Sequence, residues 1–212
     1  MAKNADLQEN ILNAAMQLAE ATSWEKLHLH DVAAELNISL EQIRQHYPQK
    51  DGMVEAWYDR ADASALRITE KPGFLELDIY DRLHQVIMAW LDALAEHKTI
   101  SRDMLLYKLE PAHIHLQVLG MLRISRTVQW FREAAQQDST HLQRIFEEIG
   151  LTTIYLLTFL YWMNDKSENQ QRTRAYLKRK LKRAKPCAKF IQNWFGRSDS
   201  LRGKETKIII PD

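Results

Sequence analysis

Apolar residues recur at helical spacing almost from the start of the chain. Over residues 7–21, Ile11, Leu12, Ala15, Leu18 and Ala19 fall on one side and Gln8, Glu9, Asn13, Gln17 and Glu20 on the other, which predicts an amphipathic helix. Trp24 and Leu27 follow in a connector. A short second helix is expected over 30–36, with Asp31 in its first turn, where a carboxylate favours the helix dipole. Asn37-Ile38-Ser39 reads as a turn, because Asn tolerates a left-handed backbone; Ser39 with Gln42 three residues on is a capping-box signature for a third helix over 40–47, ended by Pro48. A fourth helix runs over 49–68 through Val54, Trp57, Tyr58, Ala61 and Ala65.

Proline followed by glycine in Glu70-Lys71-Pro72-Gly73 ends that pattern and places a domain boundary there. Long helices are expected beyond it, over 75–97, 101–109, 111–136, 140–163 and 169–185. Pro111 takes a favoured first-turn position, and Asp138 or Ser139 caps the fourth of the five. Pro186 is expected to interrupt the last one ahead of the segment CAKFIQNWF. The division is thus residues 1–68, residues 69–195 and a flexible tail over 196–212 that carries Ile208-Ile209-Ile210. Six Gly and five Pro leave little turn chemistry for hairpins, so the fold class is all-α, a three-helix helix-turn-helix head followed by a helical bundle.

The net charge of +1 hides a strong segregation. Residues 1–68 carry six Lys/Arg against eleven Asp/Glu, residues 69–165 nine against thirteen, and residues 166–189 ten against one. Any contact of the acidic head with a polyanion therefore has to be made through a local patch. One cysteine, Cys187, cannot form an intramolecular bridge, and the N-terminus lacks the basic-then-apolar build of a signal peptide; a reducing, cytoplasmic location is expected.

Two short helices joined by a three-residue turn and docked on a preceding helix form a unit whose second helix can enter a DNA major groove. Residues 28–51, HLHDVAAELNISLEQIRQHYPQKD, resemble the helix-turn-helix of the TetR family of transcriptional regulators. The matches are Asp31-Val32-Ala33, the Ile38-Ser39 turn, the His46-Tyr47-Pro48-Gln49-Lys50-Asp51 ending, and Ile11-Leu12 with Ala14-Ala15 in the helix before. The resemblance implies a TetR-like fold and a homodimer that binds a palindromic double-stranded DNA operator and answers to a small apolar or amphipathic ligand in its bundle. It also implies that Gln42, Arg44 and His46 face DNA, with Ser39, Gln45 and Tyr47 in the same set. Arg44 stands where the family usually has Tyr; a guanidinium there suits guanine O6/N7, and Gln42 or Gln45 suits adenine. Lys50 matches the family's phosphate-contacting lysine, and His28 and His30 lie where the family touches the DNA backbone. Asn37 replaces the usual turn glycine, and Glu41 puts a carboxylate at the mouth of the recognition helix.

In the second half, the helix over 140–163 is apolar on more than one face, so part of it can serve a two-fold interface; Ile145, Ile149, Thr152, Leu156 and Leu160, with Leu177 from the next helix, are the candidates. Met88, Trp90, Met104, Tyr107, Met121, Trp130 and Phe131, joined by Tyr155 and Phe159, are the candidates for a ligand cavity, and each also reads as ordinary core. Leu160-Tyr161-Trp162-Met163-Asn164-Asp165-Lys166-Ser167, with Tyr176-Leu177-Lys178-Arg179-Lys180-Leu181, is similar to a lipid-binding ubiquinone-biosynthesis protein that has the TetR fold without DNA binding. That resemblance implies an alternative function as a lipid- or isoprenoid-binding accessory protein. It also implies membrane-surface contact through residues 166–195, where Phe190, Ile191, Trp194 and Phe195 accompany the cations; a solvated basic helix is the other reading. No catalytic residue, cofactor or metal ligand is assigned: Cys187 has no His and acid partner, and His113 and His115, two apart, fall on different faces of a helix.

Overall fold

Where the hydrophobic period is longest the chain is helical, and the computed structural model describes this over residues 2–108, 114–137 and 141–202, with side chains described for 6–105, 120–137 and 144–186. Among the described residues there is no strand, and no helix is long and apolar enough to cross a membrane. Helix α1 (Ala2–Ala21) begins earlier than its apolar period suggests, since no proline or glycine precedes residue 7 to stop it, and it buries Ile11, Leu12, Ala14, Ala15, Met16 and Ala19. Helices α2 (Leu29–Glu35) and α3 (Leu40–His46) follow. Between them Asn37 adopts φ 51°, and the amides of Asn37 and Ile38 donate to the carbonyls of Ala34 and Ala33 at 3.2 and 3.0 Å, so the end of α2 is closed by a left-handed residue. Ser39 then caps α3 reciprocally: the Gln42 amide donates to its Oγ (3.2 Å) and its own amide donates to Gln42 Oε1 (2.9 Å).

Helix α4 (Lys50–Arg67) buries Met53, Val54, Trp57, Tyr58, Ala61, Asp62 and Ala65, a width of surface that no single neighbour covers. It packs on α1 from one side and on the later helices from the other. Two single turns of 3-10 helix, Ile68–Glu70 and Phe74–Glu76, form an elbow around Gly73, whose φ of +78° is strained for any residue with a Cβ. Helix α5 (Ile79–Leu94) starts at residue 79 rather than 75, because Asp78 accepts from the amides of Tyr80 (2.8 Å) and Asp81 (3.0 Å) and so fixes the first turn there. Leu83, Val86, Ile87, Met88, Trp90, Leu91 and Leu94 are all buried, as befits a helix surrounded by α4, by α7 (Ile114–Ala134), by α8 (His141–Asn164) and by α9 (Gln171–Arg202). Helix α6 (Lys98–Lys108) packs against α1, α7 and α8.

The last helix also differs from expectation at two points. Helix α9 passes through Pro186, since a proline removes one donor and the flanking Lys, Ala, Arg and Leu residues favour helix strongly enough to continue. It reaches Arg202, so the first residues of the expected 196–212 tail are helical, while 203–212 lie outside the described residues.

The α8–α9 corner is organised by buried Asp165. Its Oδ1 accepts from the amide and Oγ of Ser167 (2.8 and 2.6 Å), and its Oδ2 from the amide and Oγ1 of Thr173 (2.9 and 2.6 Å). Burial disfavours the charge, but these four donors outweigh it and hold the carboxyl well below the usual carboxylate range. A pKa lower in the folded than in the unfolded chain stabilises fully at neutral pH and less as the pH falls below about 4. Replacing Asp165 with Ala is expected to cost roughly 2 kcal/mol in urea unfolding at pH 7, with the gap to the wild type narrowing as the pH drops through the acid range.

Candidate functional site

The seven residues of α3 leave one side free. Ile43 is fully buried against the head, while Ser39, Leu40, Glu41, Gln42, Arg44 and Gln45 are exposed and His46 is half-buried. The exposed groups are already engaged with one another. Arg44 makes a two-pronged pair with Glu41, Nε to Oε2 and NH2 to Oε1, both at 2.7 Å, and Gln45 Nε2 donates to the same carboxylate at 3.3 Å. Those hydrogen bonds lower the Glu41 pKa and raise that of Arg44. The two side chains are 66% and 55% exposed, so water screens the pair and it can open cheaply. Guanine O6 and N7 offer a guanidinium the same two-acceptor fork that Glu41 presents to Arg44 here. Gln42 is occupied by the Ser39 cap. His28 and His30 are exposed and stacked, their centroids 5.1 Å apart.

Two candidates for DNA contact stand elsewhere. Tyr47 is 3% exposed, its hydroxyl donating to the Gln8 carbonyl at 3.3 Å and its pKa raised by burial; it pins α3 to α1 instead of facing outward, because the ring at the end of α3 falls on the Ile43 side. Lys50 turns inward. Its ammonium donates to the carbonyls of Trp24, Leu27 (2.8 Å) and Glu25 (3.3 Å) and lies 4.9 Å over the Trp24 ring. Burial lowers its pKa, and the cation expected to be free for phosphate is spent on closing the connector between α1 and α2.

Sequence reasoning missed the charged cluster between α4 and α7. Asp62 is 6% exposed and accepts from Trp90 Nε1 (2.8 Å), Thr127 Oγ1 (3.0 Å) and Arg123 NH2 (2.7 Å). Arg123, also 6% exposed, bonds Asp59 as well and lies 5.6 Å from the Tyr58 ring, while Arg126 reaches Glu55 (2.8 Å) and Asp59 (3.1 Å). Burial raises the Asp62 pKa against the pull of Arg123. The signal was present: Asp62 stands four residues after buried Tyr58, and Arg123, Thr127 and Phe131 share one four-residue spacing, so both ions sit in the apolar phase of their helices.

Four ligand candidates gather around this cluster. Trp90 stacks on Tyr58 and meets Tyr155, Phe159 and Phe131 edge-on at 5.3, 5.9 and 6.3 Å. Burial raises the pKa of Tyr58 and Tyr155. Among the described residues the rings leave a void of about 30 Å³ beside Arg123, room for a water. Met104 is buried core. Met121 (66% exposed) and Trp130 (44%) are on the surface, because the inward stripe of α7 runs through Arg123, Thr127, Val128 and Phe131 and these two lie off it. The Tyr107 side chain is outside the described residues. Met88 lines a different cavity, a cleft of about 570 Å³ at the elbow after α4.

Of the interface candidates, Ile145, Ile149 and Leu160 are half or more exposed, and Thr152 and Leu156 are half-buried along the same stripe, which Phe146, Leu157 and Tyr161 widen. Leu177 is fully buried inside the protomer, since α9 turns its Leu177 and Leu181 side toward α5 and α8, and it cannot meet a partner chain. In α9 the cations Lys178, Arg179, Lys182 and Arg183 are exposed; the apolar residues of 187–195 lie outside the described side chains.

The fold has clear relatives. A TetR transcriptional regulator from Nitrosomonas europaea is similar at 47% identity and a TM-score of 0.76, over 84% of this chain and 98% of that one. A TetR transcriptional regulator from Rhodococcus sp. RHA1 shares 15% identity at a TM-score of 0.61, over 82% and 92%. PfmR, a TetR family transcriptional regulator from Thermus thermophilus, shares 15% at 0.52, over 81% and 97%. The COQ9 family model matches residues 126–188, from α7 into α9. No curated protein matches the chain significantly.

Removing one partner of the buried pair isolates its charge. Asp62→Ala is expected to destabilise the fold by about 3–5 kcal/mol in urea unfolding, and Arg123→Met in the same chain should restore much of the loss. Glu41→Ala, on the exposed side of α3, should leave the unfolding midpoint where it is.

Proposed function

Because the chain belongs to the TetR family of transcriptional regulators, we propose that it is a ligand-responsive repressor that binds a palindromic operator as a homodimer. The observation that carries this reading is the free side of α3: a helix rigidly capped at Ser39, anchored by Ile43 and Tyr47, and presenting a pre-oriented guanidinium at Arg44. Arg44 reads a guanine after leaving Glu41, Gln45 is the second base-reading group, and His28, His30 and Ser39 supply contacts to the backbone. The exposed apolar stripe from Ile145 to Leu160 supports pairing of two copies through α8, since a self-complementary stripe on a two-fold axis buries itself.

Regulation runs through α4. It begins under the recognition helix and ends at the elbow, with the Asp62–Arg123 clamp between, so its tilt sets the spacing of the two heads. A small apolar or amphipathic ligand that prefers another tilt lowers operator affinity by its differential affinity for the two states. The COQ9 match over residues 126–188 favours a second reading, a lipid- or isoprenoid-binding accessory protein that contacts membrane through its basic last helix.

Selection of genomic fragments by the full-length protein separates the two. The repressor reading expects a small set of enriched fragments with a shared inverted repeat, a loss of roughly ten- to a hundredfold in affinity for them on Arg44→Ala, and tighter binding on Glu41→Gln, which removes a competing anion. Absence of enrichment, together with co-sedimentation on anionic vesicles that disappears on truncation at Lys166, establishes the accessory reading instead.

A further inference from the structure

The elbow that joins α4 to α5 encloses a cleft of about 570 Å³, the size of sites that take small organic molecules. The aromatic centre of the bundle, by contrast, leaves about 30 Å³ among the described residues. Part of the cleft lining is apolar, with Ile68, Phe74 and Leu77 from the elbow and Met88 and Ala89 from α5. Its rim is charged. Arg174 of α9 spends its NH2 on both oxygens of Asp92 (2.7 and 2.6 Å), whereas Lys71 is exposed and no carboxylate holds it among the described residues, which leaves one cation in excess among the lining residues, with the Glu76 carboxylate beside Gly73. His84, also in the lining, ties α5 to α9: its Nε2 donates to the Arg174 carbonyl at 3.0 Å. Burial lowers the His84 pKa and so disfavours a positive charge on the ring.

We propose that this cleft is the effector site and that it takes a small amphipathic carboxylate, with the apolar body against Ile68, Phe74, Leu77 and Met88 and the carboxylate at Lys71. The inference rests on the ligand-responsive reading above. An occupant touches the elbow, α5 and α9 together, so it fixes the angle at which α4 leaves the bundle. The site lies at the far end of α4 from α3, and α4 has the length to carry the change to the head.

Isothermal titration of the full-length protein with octanoate, octanol and octyltrimethylammonium tests this. Octanoate is expected to bind in preference to the other two. Lys71→Glu, an exposed change, should weaken it roughly tenfold or more, and Ala89→Phe, which fills the cleft, should abolish it with the thermal unfolding curve unchanged. Octanoate binding that survives Ala89→Phe overturns the site, equal binding of octanol or of the cation overturns the ligand class, and no binding to the wild type overturns both. If octanoate binds as expected but leaves the affinity for selected DNA fragments unchanged, the effector role falls. If the chain retains no DNA at all while the three ligands behave as described, the cleft and its chemistry stand and the repressor reading falls.

Discussion

Arg123 is buried with its charge, and an ion taken out of water is tolerated only where acceptors surround it. Those acceptors all come from one helix. Glu55, Asp59 and Asp62 stand at successive turns of α4, and Arg123 with Arg126 meets them from α7. Shape alone lets two helices slide or rock against each other at small cost. A buried ion with three donors on its acceptor resists sliding, since displacement along the helix leaves a charge unmatched, and so makes the clamp the point about which α4 pivots. Trp90 and Thr127 complete the coordination of Asp62, so the clamp also holds α5. The position of α4 relative to the bundle is therefore set electrostatically and supported by the rings of Tyr58, Trp90, Tyr155 and Phe159.

The head inherits its position from that clamp. Its own cohesion is modest and mostly apolar: α1 supplies the floor, Ile43 and Tyr47 fix α3, and Lys50 closes the connector over Trp24. Nothing in this small unit reaches the α5–α9 bundle as firmly as α4 does, although the Glu20–His97 contact at 2.7 Å joins the end of α1 to the corner before α6. A regulator assembled this way separates its tasks. On the proposed reading the outer side of α3 carries specificity, α8 carries a surface suited to self-pairing, and α4 transmits between the elbow and the head.

Much of this was legible in the sequence. Asn37, Ser39 and Gln42 are local signals, each with one dominant physical meaning, and the turn and cap appear as read. The long helices followed from their period, with starts shifted where a cap such as Asp78 competed with the apolar pattern. The site was harder. Tyr47 and Lys50 look alike whether they face outward or inward, because the choice depends on Gln8 and on the carbonyls of residues 24–27, which sequence spacing does not place beside them. Residue type alone points Met121 and Trp130 inward where helical phase puts them outside, and the apolar pattern offers Leu177 to a partner where α9 turns it toward its own core. The ions at Asp62 and Arg123 were passed over for the opposite reason, being charged residues in an apolar phase. The elbow cleft is formed by residues from three separate stretches and has no linear signature.

The central claim, that the α4–α7 clamp sets the position of the heads, is tested most directly by the distance between two spin labels, one at Gln45→Cys in each copy of a Cys187→Ser background. Replacing the buried pair of the clamp by apolar residues, Asp62→Leu with Arg123→Met, keeps the helices packed and leaves only the exposed Arg126 contacts to Glu55 and Asp59. The account predicts a narrow distance distribution with the clamp intact and a broad one without it, at unchanged helical content. Equally narrow distributions at the same distance in both proteins would contradict it.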